Sequence, residues 1–466
     1  MADQTFELRT PMPVSAEELF LWHDRPGAFQ RLCPPFDPVR LIERTGGIRD
    51  GDRATIEMHA LGKRVRWVAE HSDWAYGERF TDTQVQGPFK SWVHEHLFEP
   101  EGRASSVMHD RIRYRLPMGV MGRLFGGSVV REKLNQTFGW RHTTLACDLE
   151  LHQICQPGLD AQQMGRLKVL VSGASGMIGS ALCALLRTAG HEVTTLVRRP
   201  VDRNANEIRW NVAEGEIDPA KLEGFDAVVH LAGESVASGR WNAAKKEAIR
   251  SSRVDGTRLL CDALARLDRR PRVYVQASAC GFYGDRGDEK LSERAARGQG
   301  FLAEVTNDWE ESSRALRQSS VRTVFMRYGM VLDPRAGALA KMLPAFRMGG
   351  GGPVGSGKQW WSWISLDDAI ASILYAISQT ELAGAVNATA PEPVTSRDFS
   401  KALGRVLKRP AIVPAPAKAL RLAFGELADG LLLSSNRVLP TKLEATGFPW
   451  RDTDLEYSLR RLLGRL

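Results

Sequence analysis

Cysteine is scarce in this 466-residue chain: six are present, at positions 33, 147, 155, 183, 261 and 280, and no two are spaced as C-x-x-C. That excludes a disulfide scaffold and a cysteine-based zinc module, and it suits a reduced, cytoplasmic setting. No window holds about eighteen uninterrupted apolar residues, so no transmembrane helix is expected. The opening stretch, MADQTFELRTPMPVSAEELF, has no basic segment leading into an apolar run and does not read as a signal peptide. Charge of one sign is not concentrated either. The net charge is +8, but the basic residues are spread and mixed with acids, and the densest clusters are as short as Arg269-Arg270 and Arg460-Arg461. A nucleic-acid partner is therefore not expected, whereas a small anionic partner needs only a few local cations. The hydrophobic share of 43% and charged share of 25% exclude a mainly disordered chain. At roughly 100–200 residues per domain, the length predicts two to four domains.

One composition break divides the sequence. The polar, Gly/Pro-marked stretch from Gln156 to Gly165 gives way abruptly to an apolar strand, Leu167–Val171, and we place a linker at 156–166. Upstream, Ser15 can cap a helix running to Asp24, with Glu18 as its reciprocal partner, and Pro26-Gly27 should end it. A short second helix is expected at 28–32. Segments 53–59, 65–71, 92–98 and 106–114 then alternate with the period of an antiparallel sheet covered on one face. Residues 119–149 have the apolar spacing of a long helix that could lie across it. His94 and His96 share one strand face with Trp92 and Phe98. No third ligand can be placed beside them, so they read as cavity-lining or core histidines and no metal is assigned.

This order of elements, with Asp110-Arg-Ile-Arg-Tyr-Arg-Leu-Pro117 before the long helix, resembles the START-like, polyketide-cyclase-like helix-grip family. The resemblance covers residues 1–155 and implies an α+β domain with a cavity for an apolar ligand between helix and sheet.

Past the break, strand 167–171 runs into Ser172-Gly-Ala-Ser-Gly-Met-Ile-Gly179, then an apolar helix closed by Gly190, then a second strand, 191–197. This is a β–glycine loop–α–β unit with spacing G-x-x-G-x-x-G. Gly173 permits the tight turn, Gly176 lets the backbone approach a pyrophosphate, and Gly179 lets the helix sit against the strand. With Ala174, Ser175, Met177 and Ile178, these residues form the expected phosphate cradle at a helix N-terminus. NAD-type sites place an acid at the end of the second strand to bind the 2′-hydroxyl. Here Arg198-Arg199 stands instead, and an arginine fork suits a 2′-phosphate. The expected cofactor is NADP(H); if these arginines only solvate a loop, the cofactor choice stays open. Leu231, Ala232 and Gly233, at the end of a strand beginning at Ala227, complete the expected cofactor contacts.

Further strands at 272–278 and 322–327 predict an α/β fold: a doubly wound Rossmann sheet at 167–411, preceded by the helix-grip domain and followed by a small C-terminal helical segment, 412–466. The segments 226–233, 254–260, 276–284, 327–332 and 361–368 resemble extended short-chain dehydrogenase/reductases. More narrowly, Ala232–Val236, Trp241, Tyr283–Gly287, Asp308-Trp-Glu310 and Ser362-Trp363 resemble the atypical bacterial nucleoside-diphosphate-sugar epimerase-like family. That resemblance implies a C-terminal segment of unknown function, packing on the substrate side.

The wider superfamily uses a Tyr-x-x-x-Lys pair on one helix, in which lysine lowers the tyrosine pKa for acid/base work. None of the seven tyrosines has a lysine four residues later. If Glu310 aligns with the glutamate that often ends that helix, Leu302 and Thr306 occupy the pair's places. What remains as candidate catalytic residues is Ser278, at a strand end, and Tyr283, in the loop after it. A strand-end hydrogen bond and loop packing are their bland alternatives. Cys280 reads as a small buried apolar residue. The epimerases' substrate-diphosphate Arg-Asp pair is replaced by Trp361 and Ser362. With Trp360 and Trp363, and after the glycine run 349–357, these could frame a mobile apolar mouth or simply be core. Two readings follow. One is an NADP(H)-binding reductase- or epimerase-like enzyme acting on an apolar small molecule. The other is a non-catalytic NADP(H)-dependent sensor or ligand-binding protein. Oligomeric state is not legible.

Overall fold

Residues 3–60, 63–117, 119–156, 165–202 and 205–466 are described by a computed structural model; the expected linker lies largely outside them. They fall into two units, one taking in Met1–Ile154 with Arg187–Gly190 and Arg461–Leu466, the other Cys155–Leu186 with His191–Arg460. Among the described residues, no helix is long and apolar enough to cross a membrane.

The first unit begins with β1 (Gln4–Met12) and helices α1 (Ala16–Asp24) and α2 (Ala28–Arg31). The Ser15 hydroxyl accepts from the Glu18 N–H at 3.3 Å and caps α1. The reciprocal bond expected of Glu18 does not form, because its carboxylate takes the Arg25 guanidinium at 2.6 Å instead. Six strands follow: β2 (Arg40–Thr45), β3 (Arg53–Ala60), β4 (Lys63–Ala75), β5 (Arg79–Gln86), β6 (Ser91–Pro100) and β7 (Ser106–Arg115). They form one antiparallel sheet in the order β1-β7-β6-β5-β4-β3-β2. A 37-residue helix, α3 (Gly119–Cys155), ends the unit. Alternation on β6 buries Trp92, His94, His96 and Phe98. Leu134 and Phe138 of α3 pack with Phe6, Trp92 and Ile112, and Leu145 and Leu149 with Phe20, Phe98 and Met108. Each such side chain contributes about 1.5–3 kcal/mol by leaving water, so the helix is held to the sheet along its length.

The second unit runs β8 (Lys168–Ser172), α4 (Met177–Thr188), β9 (Glu192–Val197), β10 (Glu207–Asn211), β11 (Glu216–Ile217), β12 (Ala227–His230), α5 (Ala243–Ala265), β13 (Val273–Ala279), α6 (Phe301–Glu311), β14 (Arg322–Tyr328) and β15 (Gly384–Ala388), with shorter elements between. Its eight-stranded sheet has the order β11-β10-β9-β8-β12-β13-β14-β15. All neighbours are parallel except β10 and β11. Strand order reverses between β8 and β12, so the crevice that binds ligands in such sheets lies beyond Ser172 and His230. The C-terminal segment bonds to this unit. Asn436 N–H donates to the Trp360 carbonyl at 2.9 Å, and the N–H groups of Arg451 and Asp452 donate to the Asp368 carboxylate, each at 2.9 Å.

Beneath the crevice His230 is fully buried. Its Nδ1 lies 2.6 Å from the Ser172 hydroxyl and its Nε2 3.0 Å from that of Thr257, which also accepts from the Trp309 indole at 3.0 Å. Burial lowers the imidazole from 6.5 to about 4. Between those values the unfolded chain binds a proton that the folded one refuses. The stabilisation is therefore complete above pH 6.5 and is lost as pH falls, at up to about 1.4 kcal/mol per unit. Urea unfolding of wild type and His230→Asn at pH 7 and pH 5 should show the variant losing less stability on acidification. Equal losses would contradict this.

Candidate functional site

The turn after β8 is built around two close approaches. Gly173 has φ +70°, and a Cβ there would meet the Leu231 carbonyl carbon at 2.7 Å. A Cβ on Gly179 would lie 2.2 Å from the Gly173 oxygen. Neither position admits a side chain, for backbone atoms stand in the way. Gly176 N–H closes the turn onto the Gly173 carbonyl at 3.0 Å, and α4 starts one residue later. Ser175 and Gly176 are exposed, Gly173, Ala174, Met177 and Ile178 half-buried, and Gly179 buried. The fold thus brings the β8 turn against Leu231–Ala232, at the end of β12, with the free N–H groups of the first turn of α4 alongside.

Arg198 and Arg199 follow β9 directly and are exposed. Arg199 is engaged: its Nη1 donates to Glu207 Oε2 at 2.9 Å, a bond that holds the Glu207 carboxyl below its usual range. The same oxygen accepts from Asp202 N–H at 2.9 Å. No acid occupies the end of β9 itself.

At the neighbouring strand end, Ser278 and Tyr283 belong to one buried network. The Ser278 hydroxyl donates to Glu310 Oε1 at 2.6 Å. Arg327, on β14, forks onto both Glu310 oxygens at 2.8 and 2.7 Å and donates to the Tyr283 hydroxyl at 3.0 Å. That hydroxyl donates to Asn387 Oδ1 at 2.7 Å, and Asn387 Nδ2 reaches the Leu439 carbonyl at 2.9 Å. The Arg327 guanidinium also lies 3.5 Å over the Phe282 ring. Burial opposes its charge, but the Glu310 hydrogen bonds and charge outweigh that and hold it up. Burial likewise pushes the Tyr283 phenol up against the pull of Arg327, away from the range in which it could exchange a proton near neutral pH. Tyr283 is not in an open loop but ends a 3₁₀ turn, Cys280–Tyr283, with no exposed surface. Leu302 and Thr306 face the start of that turn, within 3.3 and 3.8 Å of where a Gly281 Cβ would be. Cys280 is buried and its thiol pushed up to about 12. Residue spacing in the sequence had not revealed Glu310, Arg327 and Asn387 as partners of Ser278 and Tyr283.

The tryptophans do not act as one patch. Trp363 is fully buried, Trp361 packs edge-on against Phe399 at 5.6 Å, and only Trp360 carries a cation, Arg437, 4.0 Å over its ring. Within the glycine run, a Cβ on Gly352 would come 2.1 Å from the Val413 carbonyl oxygen. Close packing, rather than an open mouth, accounts for glycine there.

A Rossmann sheet with a glycine turn at its switch point, in a sequence without a Tyr-x-x-x-Lys pair, defines an atypical short-chain dehydrogenase/reductase-type unit. Sequence comparison agrees: the profile of the NAD dependent epimerase/dehydratase family matches residues 169–388, and a domain of unknown function, DUF1731, matches 415–462. The chain belongs to this epimerase family. It is 43% identical to the epimerase family protein Mb2239 of Mycobacterium bovis over 64% of this chain and 97% of that one. The crystal structure of a nucleoside-diphosphate sugar epimerase from Corynebacterium glutamicum is similar over 98% of this chain and 90% of that one, with TM-score 0.77 and 32% identity. Human epimerase family protein SDR39U1, solved with NADPH, is similar over 64% of this chain and 100% of that one, with TM-score 0.60 and 32% identity.

Proposed function

We propose that this chain binds NADP(H) on the Gly173–Gly179 turn and acts as a reductase- or epimerase-like enzyme on an apolar small molecule. The observation that carries the cofactor reading is the pairing of that turn with Arg198-Arg199 in the place where NAD-type sites hold an acid. In this reading Gly173 to Gly179 cradle the pyrophosphate, Leu231 to Gly233 flank the adenosine side, and the arginines take the 2′-phosphate. The NADPH in the human relative's structure supports it. Trp361 and Ser362 stand where sugar-nucleotide epimerases carry an anion clamp, which speaks against a nucleotide-sugar substrate. Residues 1–155 would be a START-like helix-grip module presenting a ligand. Its antiparallel sheet with a 37-residue helix packed along it supports that reading. Residues 412–466 would close the substrate side of the Rossmann domain, 167–411.

One observation favours the second reading, a non-catalytic NADP(H)-dependent sensor: the hydroxyls of both Ser278 and Tyr283 are bonded within the buried Glu310–Arg327–Asn387 network. Single-turnover mixing of the NADPH-loaded chain with apolar ketones and enones decides between the two. The enzyme reading expects nicotinamide oxidation by at least one compound, slowed by Ser278→Ala. NADPH bound but oxidised by none would overturn it and leave the cofactor assignment standing.

A further inference from the structure

The first unit holds a cluster of charged and metal-ligating groups that nucleotide binding does not use. Asp82 on β5 and His94 and His96 on β6 each offer a ligand atom within 4.8 Å of the other two. His96 Nε2 lies 3.1 Å and His94 Nδ1 3.9 Å from the same Asp82 oxygen, Oδ2. An ion about 2.1 Å from each of three donors separates neighbouring donors by about 3.0–3.4 Å. The first distance already fits, and the second would have to shorten by about 0.5–0.9 Å on binding.

The remaining nitrogens of both rings converge on one carboxylate. His94 Nε2 and His96 Nδ1 stand 2.8 and 2.9 Å from Asp110 Oδ1, on β7. A carboxylate on the far nitrogen is how metal-ligating histidines are oriented and made more basic. Asp110 is itself fixed through Oδ2, 2.7 Å from His142 Nε2 on α3, whose Nδ1 lies 2.7 Å from the Thr10 hydroxyl. Asp82 Oδ1 faces His71 Nε2 on β4 at 2.9 Å.

The surroundings are dry. Phe80 stacks on His96 at 4.2 Å and Phe138 meets His94 edge-on at 5.1 Å. Among the described residues no lysine or arginine lies within ion-pair distance of Asp82 or Asp110, so the half-buried Asp82 and the buried Asp110 have only histidines as ion-pair partners.

We propose that Asp82, His94 and His96 hold one divalent first-row transition ion, with Asp110, His71 and His142 orienting them. Two imidazoles and one carboxylate suit zinc or iron(II) rather than magnesium or calcium, and a three-residue set leaves a coordination position for water or a small ligand. The site is independent of the reading of the nucleotide crevice.

The test is calorimetric titration of the chelator-treated full chain with Zn²⁺, and anaerobically with Fe²⁺, alongside Co²⁺ followed by its visible absorption. Binding of one ion per chain in the micromolar range or tighter is expected, with Co²⁺ bands of a nitrogen/oxygen site. Both should be lost in His96→Ala, while Asp110→Asn keeps the stoichiometry and weakens affinity by about 10–100-fold. A wild-type chain that binds none of the three ions at micromolar concentration would overturn the proposal, whether or not the variants fold. So would an ion whose stoichiometry and spectrum persist in a folded His96→Ala.

Discussion

Replacing Arg198 and Arg199 together with alanine is expected to weaken NADPH binding by about 100-fold or more and NADH binding little. The estimate rests on charge-assisted hydrogen bonds, which contribute about 1.5–3 kcal/mol each. About 2.7 kcal/mol corresponds to a hundredfold in Kd. NADH has no 2′-phosphate and forfeits nothing there. The structure sharpens the expectation for the single variants. Arg199 already bonds Glu207, so recruiting it costs part of that exposed pair, and Arg198→Ala should carry the larger loss. Glu207→Gln, which loosens Arg199, should preserve or tighten NADPH binding. Fluorescence titration of each variant with both nucleotides checks this. Equal weakening of NADPH and NADH would count against the 2′-phosphate assignment.

Arg327→Met is expected to destabilise the chain by about 3–5 kcal/mol, because it leaves the Glu310 carboxylate buried with only the Ser278 hydroxyl to answer it. Both partners are almost wholly shielded, with side chains 5% and 10% exposed, so solvent cannot screen the loss. Replacing the pair together, Arg327→Met with Glu310→Leu, should recover much of that stability, since no unpaired charge then remains. Tyr283→Phe removes one hydroxyl and should cost about 1–3 kcal/mol. Urea unfolding of the four proteins gives the comparison. A single Arg327→Met costing under about 1 kcal/mol would mean that the network is open to water and that Glu310 is available for chemistry.

The parts of this protein that were legible in its sequence are those written locally. The glycine spacing, the strand before it and the helix after it are contiguous, and the close approaches at Gly173 and Gly179 are the physical reason for that spacing. The absence of a Tyr-x-x-x-Lys pair could also be read directly, because the pair is defined along one helix. What filled the gap could not. Glu310, Arg327 and Asn387 come from α6, β14 and β15, and only the parallel register of β13, β14 and β15 brings them to one strand end. Of the two readings open for the tryptophans at 360, 361 and 363, an apolar mouth or core, their separate surroundings fit the second, because adjacent positions on an extended segment point in different directions. In the first unit, β5 escaped notice because Arg-Phe-Thr-Asp-Thr-Gln-Val-Gln is mostly polar. Asp82 on that strand is the group that His94 and His96 lacked. A usable signal was present, since eight of the ten histidines precede residue 156.

A crystal structure of the full chain with NADPH tests the cofactor assignment most directly. The expected result is a pyrophosphate against the backbone from Gly173 to Gly179, with the 2′-phosphate beside Arg198 and the nicotinamide toward the Ser278 end of β13. A nucleotide bound elsewhere, or one whose 2′-phosphate points to solvent away from both arginines, would contradict it.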